Sequence, residues 1–112
     1  MARIPITIEI ASEPCEEGVR LRIGGRVDKS TNPQFEAALR EAEESDAKQI
    51  LLDLSDVVLM NYAGLRVLYE AHKRQRDDDE RLRVVATSLQ VRNLFAMSGV
   101  YDRFMGGRTS AT

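Results

Sequence analysis

The residues whose types and spacing could carry chemistry lie between Asp53 and Arg66, in the run Asp-Leu-Ser-Asp-Val-Val-Leu-Met-Asn-Tyr-Ala-Gly-Leu-Arg. Asp53 and Ser55 close an apolar stretch, and Asn61 stands where a helix would begin. An asparagine there accepts a hydrogen bond from the unsatisfied amides of the first turn, and those amides, together with the helix dipole, form a natural seat for an anion. The segment is therefore suited to docking or to holding a phosphate. Two of its side chains admit two readings each. Ser55 is either a modification site or a turn serine bonded to its own backbone. Tyr62 either projects from the first helical turn as an aromatic anchor or folds back onto the domain's own surface.

Elsewhere the parts of an active site are missing. His72 is the single histidine and Cys15 the single cysteine, too few for a structural zinc site and too far apart in sequence to suggest a Cys and His nucleophile pair. The acidic run Asp77 to Glu80 lacks the alternating ligands and turn glycine of a calcium loop and reads as a solvated connection. Gly24-Gly25 is a turn pair and Gly106-Gly107 lies near the end, so neither cradles a phosphate after a strand. No catalytic function, metal or cofactor is expected. The 112 residues carry a formal net charge of -2, with 30% charged side chains of both signs interleaved and 43% apolar content. That balance fits one globular domain of cytoplasmic type, predicts no nucleic-acid partner, and offers no leader or long apolar run for membrane insertion.

The elements that must position the Asp53 to Arg66 run follow from periodicity. Isoleucines at 4, 6, 8 and 10 alternate with polar residues as in a one-sided strand, which Pro5 places at an edge. After a loop holding Pro14, Cys15 and Gly18, the alternation of Val19, Leu21 and Ile23 gives a second strand and a hairpin. Thr31, Asn32 and Pro33 mark a helix start. Phe35, Ala38, Leu39 and Ala42 then form one buried stripe up to about Ser45, with Glu36, Arg40, Glu43 and Glu44 facing water. Ile50 to Leu54 is a nearly continuous apolar run, the mark of a central strand covered on both sides. A second helix runs from Asn61 to Arg76, a strand from Leu82 to Ala86, and a third helix starts at a capping box of Thr87 and Gln90 and ends at Gly99. The fold predicted is α/β: a mixed sheet of four or five strands with helices mainly on one face, in a single domain over 1–105 followed by a short flexible tail over 106–112.

Three segments in this order resemble the STAS domain family. The strand ending Asp53-x-Ser55, followed by Val57, Met60, Gly64 and Leu65, is similar to the family's Asp-x-Ser strand and Asp-Ser-Ser/Thr-Gly-Leu helix start. Gly25-Arg-Val-Asp28 is similar to its Gly-x-Leu/Val-Asp turn, and Val91 to Gly99 to its closing segment. The resemblance implies a regulator of the anti-sigma factor antagonist type. Such a protein sequesters an anti-sigma factor, often a serine kinase of the histidine-kinase-like ATPase type, by partner switching. The surface it implies comprises Asp28, Met60, Asn61, Tyr62, Ala63, Gly64 and Arg66, although Asp28 reads equally well as a local turn residue.

The loop departs from the family's pattern. Asn61 replaces its Asp, Tyr62 its first Ser, and Ala63 the hydroxyl residue that is phosphorylated. A phosphate would bring a charge of about -1.5 to -2 into the docking surface, and alanine cannot take one, so the usual switch is expected to be absent. Two further readings within the fold are a STAS subunit of an ABC-type lipid transport complex and a small-molecule or nucleotide sensor. If the glycine-bearing end replaces the family's final helix, apolar surface is left open and weak homodimerisation is expected.

Overall fold

The computed structural model describes residues 7–75, 81–100 and 104. Strand β1 (Ile8–Cys15) and strand β2 (Gly18–Val27) form an antiparallel hairpin closed by Glu16 and Glu17. Helix α1 (Asn32–Glu44) leads to strand β3 (Gln49–Met60), which lies parallel to β2. Helix α2 (Tyr62–Arg74) leads to strand β4 (Leu82–Thr87), parallel to β3, and helix α3 (Leu89–Ser98) follows. The sheet is therefore mixed and four-stranded, in the order β1-β2-β3-β4. β3 is central, as its apolar run predicts.

Alternation sorts the sheet's two faces. Val19, Leu21 and Ile23 on β2 share the inner face with Ile10 on β1 and with Ile50 and Leu52 on β3, and α1 lies over the β1–β2 part of it through Ala38 and Ala42. The other parity puts Glu13, Arg20, Arg22 and Asp53 on the opposite face. There Arg20 meets Asp53 at 3.2 Å and Arg22 meets Glu13 at 3.4 Å, in the manner of cross-strand pairs. Among the described residues, β1 has no strand on its outer side, where Glu9, Glu13 and Pro14 are exposed. Inside, Phe35, Leu39, Leu52, Leu54, Leu68 and Phe95 form the core. Phe104 joins it, stacking edge-on against Phe95 with ring centroids 5.0 Å apart and against His72 at 5.3 Å. Some of the apolar surface expected to lie open is thus filled by Phe104. The predicted tail, 106–112, lies outside the described residues, as do Pro5, the first isoleucines, Arg76 and the acidic run.

Several predicted boundaries shift. Pro14 and Cys15 belong to β1 and Gly18 to β2, because the hairpin turn is only two residues long. β3 does not stop at Ser55 but continues to Met60, since β2 continues beside it to Val27. α2 ends at Arg74. Thr31 is the N-cap of α1 but makes no side-chain bond into the helix. Its hydroxyl instead donates to the Arg26 carbonyl at 2.8 Å and accepts from the Asp28 amide at 3.0 Å. Glu43 does not face water: its side chain is 9% exposed and takes a two-pronged bond from Arg74, at 2.9 Å for both Nε and Nη2, which ties α1 to α2. That carboxylate raises the Arg74 pKa. The capping box also fails, because Ser88 rather than Thr87 caps α3, accepting from the Val91 amide at 3.3 Å.

Arg81 was not singled out by any pattern, yet it finishes α1. Its guanidinium donates to the carbonyls of Ala42, Glu43, Ser45 and Ala47 at 2.8–3.3 Å, acceptors at the C-terminus of α1 and in the segment just beyond it. Replacing it takes this donor from all four, although Ser45 still serves the Ala42 carbonyl. Arg81→Ala is expected to lower the unfolding free energy by about 1.5–3 kcal/mol in urea titration, whereas Arg83→Ala, on an exposed position of β4, should stay within about 0.5 kcal/mol.

Candidate functional site

The junction between β3 and α2 is built by main-chain bonds made from three directions. The Asn61 amide donates to the Val27 carbonyl at 3.3 Å, tying the start of α2 to the end of β2. The Asn61 side chain accepts from the Gly64 amide at 3.2 Å, the cap expected of it. The Gln90 side chain meets the main chain of Met60 on both sides, accepting from its amide at 2.7 Å and donating to its carbonyl at 2.8 Å. β4 pairs with β3 only as far as Leu54 and Thr87, so the Gln90 amide takes the place of a neighbouring strand for the last residue of β3. This clamp, with Gln90 in a role other than capping, fixes α3 to the α2 start.

Gly64 explains why the helix can sit so close. A Cβ at this position would lie 2.6 Å from the Val27 carbonyl oxygen and 2.7 Å from its Cγ1, nearer than real side chains approach. Met60 and Gly64 are both buried. Of the residues predicted for the surface, these two position it, and the exposed ones are Asn61, Tyr62 and Arg66. Tyr62 is 63% exposed, so its ring is not folded away. It borders a shallow, mostly apolar groove of about 270 Å³ shared with Leu65, Arg66, Tyr69, Ser98 and Val100. Ala63 is half-buried in the first turn of α2, and its carbonyl accepts from Asn32 Nδ2 at 3.0 Å. The starts of α1 and α2 are thereby joined.

Asp28 lies on the α1 side of this joint and holds its own turn. Its carboxylate accepts from the Ser30 hydroxyl at 2.7 Å and amide at 3.0 Å, from the Thr31 amide at 3.3 Å, and from Arg26 Nε at 2.6 Å. The Ser30 hydroxyl foremost, joined by Arg26 and the two amides, outweighs the loss of hydration and holds the carboxyl below its ordinary value. The turn reading of Asp28 holds, and its neighbour Val27 places that turn beside the α2 start. Asp53 and Ser55 are farther down β3. Burial pushes the Asp53 carboxyl up, but the Ser55 hydroxyl and amide, with Arg20, bring it below its ordinary value. The Ser55 hydroxyl donates to the Asp53 carboxylate at 2.5 Å and its amide at 3.0 Å, so within β3 the Ser55 side chain is spent on Asp53 and not on a backbone turn. Among the described residues, no group of three or more histidines, cysteines and acids could hold a metal ion, and no helix is long and apolar enough to cross a membrane.

The family model described as "Mlab, STAS domain" matches residues 13–106. The chain belongs to the STAS family. The anti-sigma-B factor antagonist of Staphylococcus aureus is 23% identical to this STAS chain over 97 residues, covering 87% of it and 90% of the relative. An anti-sigma factor antagonist from Mycobacterium paratuberculosis superposes with a TM-score of 0.78 at 22% identity, covering 87% of this chain and 82% of that one. The antagonist SpoIIAA in its unphosphorylated form gives 0.70 at 20% identity, covering 93% and 89%. The α/β architecture predicted above is thus the STAS fold.

Two measurements probe this geometry. Gly64→Ala should force the α2 start away from Val27 and cost about 1–3 kcal/mol in urea unfolding; an unchanged midpoint would mean the close approach is not needed. For Asp28, a carboxyl lowered by folding adds stability that is complete above its unfolded pKa of about 3.9 and disappears as pH falls through the lower folded value. The stability difference between the wild type and Asp28→Asn should therefore hold from neutral pH to about 5 and narrow progressively below that.

Proposed function

We propose that this STAS domain is a non-enzymatic, cytoplasmic anti-sigma factor antagonist. It docks an anti-sigma factor, of the histidine-kinase-like serine kinase type, on the surface made by the Asp28 turn and the exposed start of α2, and so competes with a sigma factor for it. The observation that carries the reading is the first turn of α2: Tyr62 exposed, Ala63 beside it with only a methyl group, and the helix capped by Asn61. The named relatives are antagonists of anti-sigma factors, which supports this reading over a transport subunit or a nucleotide sensor. With no hydroxyl at Ala63, the domain binds without the usual phosphate switch, and its activity follows its abundance or a modification elsewhere.

The docking surface in this reading is neutral at its centre. Asn61 carries no charge, and the Asp28 charge is answered by Arg26. A carboxylate placed at Ala63 would reproduce part of the charge that a phosphate brings. Ala63→Glu should weaken binding to the cognate anti-sigma factor at least about ten-fold, near 1.4 kcal/mol, in calorimetric titration, while Ala63→Gln, of similar size, should lose less than half of that free energy. Equal losses for the two would point to size rather than charge, and no loss for either would remove the α2 start from the interface.

A further inference from the structure

The turn between β2 and α1, Asp28 to Thr31, is pinned to the start of α2 at both of its ends. Before it, the Val27 carbonyl accepts from the Asn61 amide at 3.3 Å, and after it Asn32 Nδ2 donates to the Ala63 carbonyl at 3.0 Å. The turn therefore stands beside the residue that offers no hydroxyl, and it carries two hydroxyls of its own. That of Thr31 is out of reach, since the residue is 3% exposed and its oxygen bonds the Arg26 carbonyl and the Asp28 amide. Ser30 is exposed, and its hydroxyl donates to Asp28 Oδ1 at 2.7 Å and accepts no bond among the described residues, which leaves the oxygen's lone pairs unspent. Ser55 is exposed too and holds Asp53 in a similar way, but it belongs to β3, six residues before Asn61, rather than to a surface turn.

Resting on the reading above, we infer that Ser30 is a phosphorylation site, modified by the docked serine kinase with ATP as donor, and that the phosphate lowers the affinity for that kinase. In this step Ser30 Oγ attacks the terminal phosphorus of ATP. The Oγ–P bond forms as the bond to the β,γ-bridging oxygen breaks, ADP leaves with that oxygen, and the hydroxyl proton passes to a base of the kinase. The effect on docking follows from what the hydroxyl does in the unmodified turn. It donates to a carboxylate, and its phosphate ester has no such proton to give, so the bond to Asp28 is lost and about 1.5–2 negative charges are set against that side chain. Asp28 is itself charged at neutral pH, its carboxyl held below the ordinary value by the Ser30 hydroxyl first of all, and Arg26 already takes its other oxygen at 2.6 Å. The adjoining exposed cation is Lys29, and a single lysine charge present in both states leaves the modified turn more negative than before. A surface neutral at its centre becomes anionic, the change that Ala63 is unable to undergo.

The test uses the full chain and the anti-sigma factors encoded in its source genome, each purified and incubated with it in ATP and magnesium, the phosphate being counted by intact mass and located by peptide fragmentation. One phosphate on Ser30 is expected, lost in Ser30→Ala and retained in Ser55→Ala. In calorimetric titration Ser30→Glu should bind about ten-fold more weakly than Ser30→Gln, a gap that narrows at high salt because it arises from an exposed charge. A kinase that binds the wild type yet leaves it unmodified, or that modifies Ser55, Tyr62 or another residue, overturns this inference and leaves the docking reading intact. Equal binding by Ser30→Glu and Ser30→Gln overturns the switch. If none of the anti-sigma factors binds the wild type, the docking reading itself falls, and this inference with it.

Discussion

The placement of the α2 start depends on one close approach, that of Gly64 to the main chain of Val27. A helix can follow a central strand without a spacer only if its first turn passes beside the neighbouring strand, and here the passage leaves no room for a Cβ. Once the helix is that close, the Asn61 amide reaches the Val27 carbonyl, Asn32 reaches the Ala63 carbonyl, and the two helix starts share one surface. Everything that makes Tyr62 available follows from this. The ring is exposed because the main chain under it is pinned and the inward positions of the turn are taken by Gly64 and Leu65.

Rigidity at this joint matters for binding by preorganisation. A loop that must order on docking loses conformational entropy at that moment, whereas a clamped one has already lost it in folding. Gln90 and Asn61 both spend their side chains on main-chain partners, so the surface between them consists of fixed helix starts rather than a mobile loop. The neutrality of the first turn completes the arrangement. At Ala63 that turn presents only a methyl group, with no hydroxyl to accept a phosphate.

What the sequence disclosed, and what it concealed, divides by range. The Phe35, Leu39 and Ala42 stripe, the central run from Ile50, and the Asn61 cap were legible because each is a local pattern whose period or offset is fixed by helix or strand geometry. The second half of β3 was not. Ser55 and Asp56 interrupt the alternation, and only pairing with the extended β2 keeps the chain straight to Met60. Gln90 and Arg81 were missed for a related reason. Each bonds main-chain groups thirty or more positions away, and a carbonyl has the same identity in every residue, so no side-chain pattern announces the contact. Glu43 fell on the polar side of the α1 stripe, and only the approach of Arg74 from α2 turns that position inward.

The outer side of β1 has a consequence for how such a molecule behaves in a crowded cell. A bare strand edge is a template on which further chains can stack into fibres. Here Glu9 and Glu13 line that side, with Pro14 near its end lacking an amide hydrogen. Two copies meeting there would bring their Glu9 carboxylates together and find one bond missing, so edge-to-edge pairing is discouraged at this rim among the described residues.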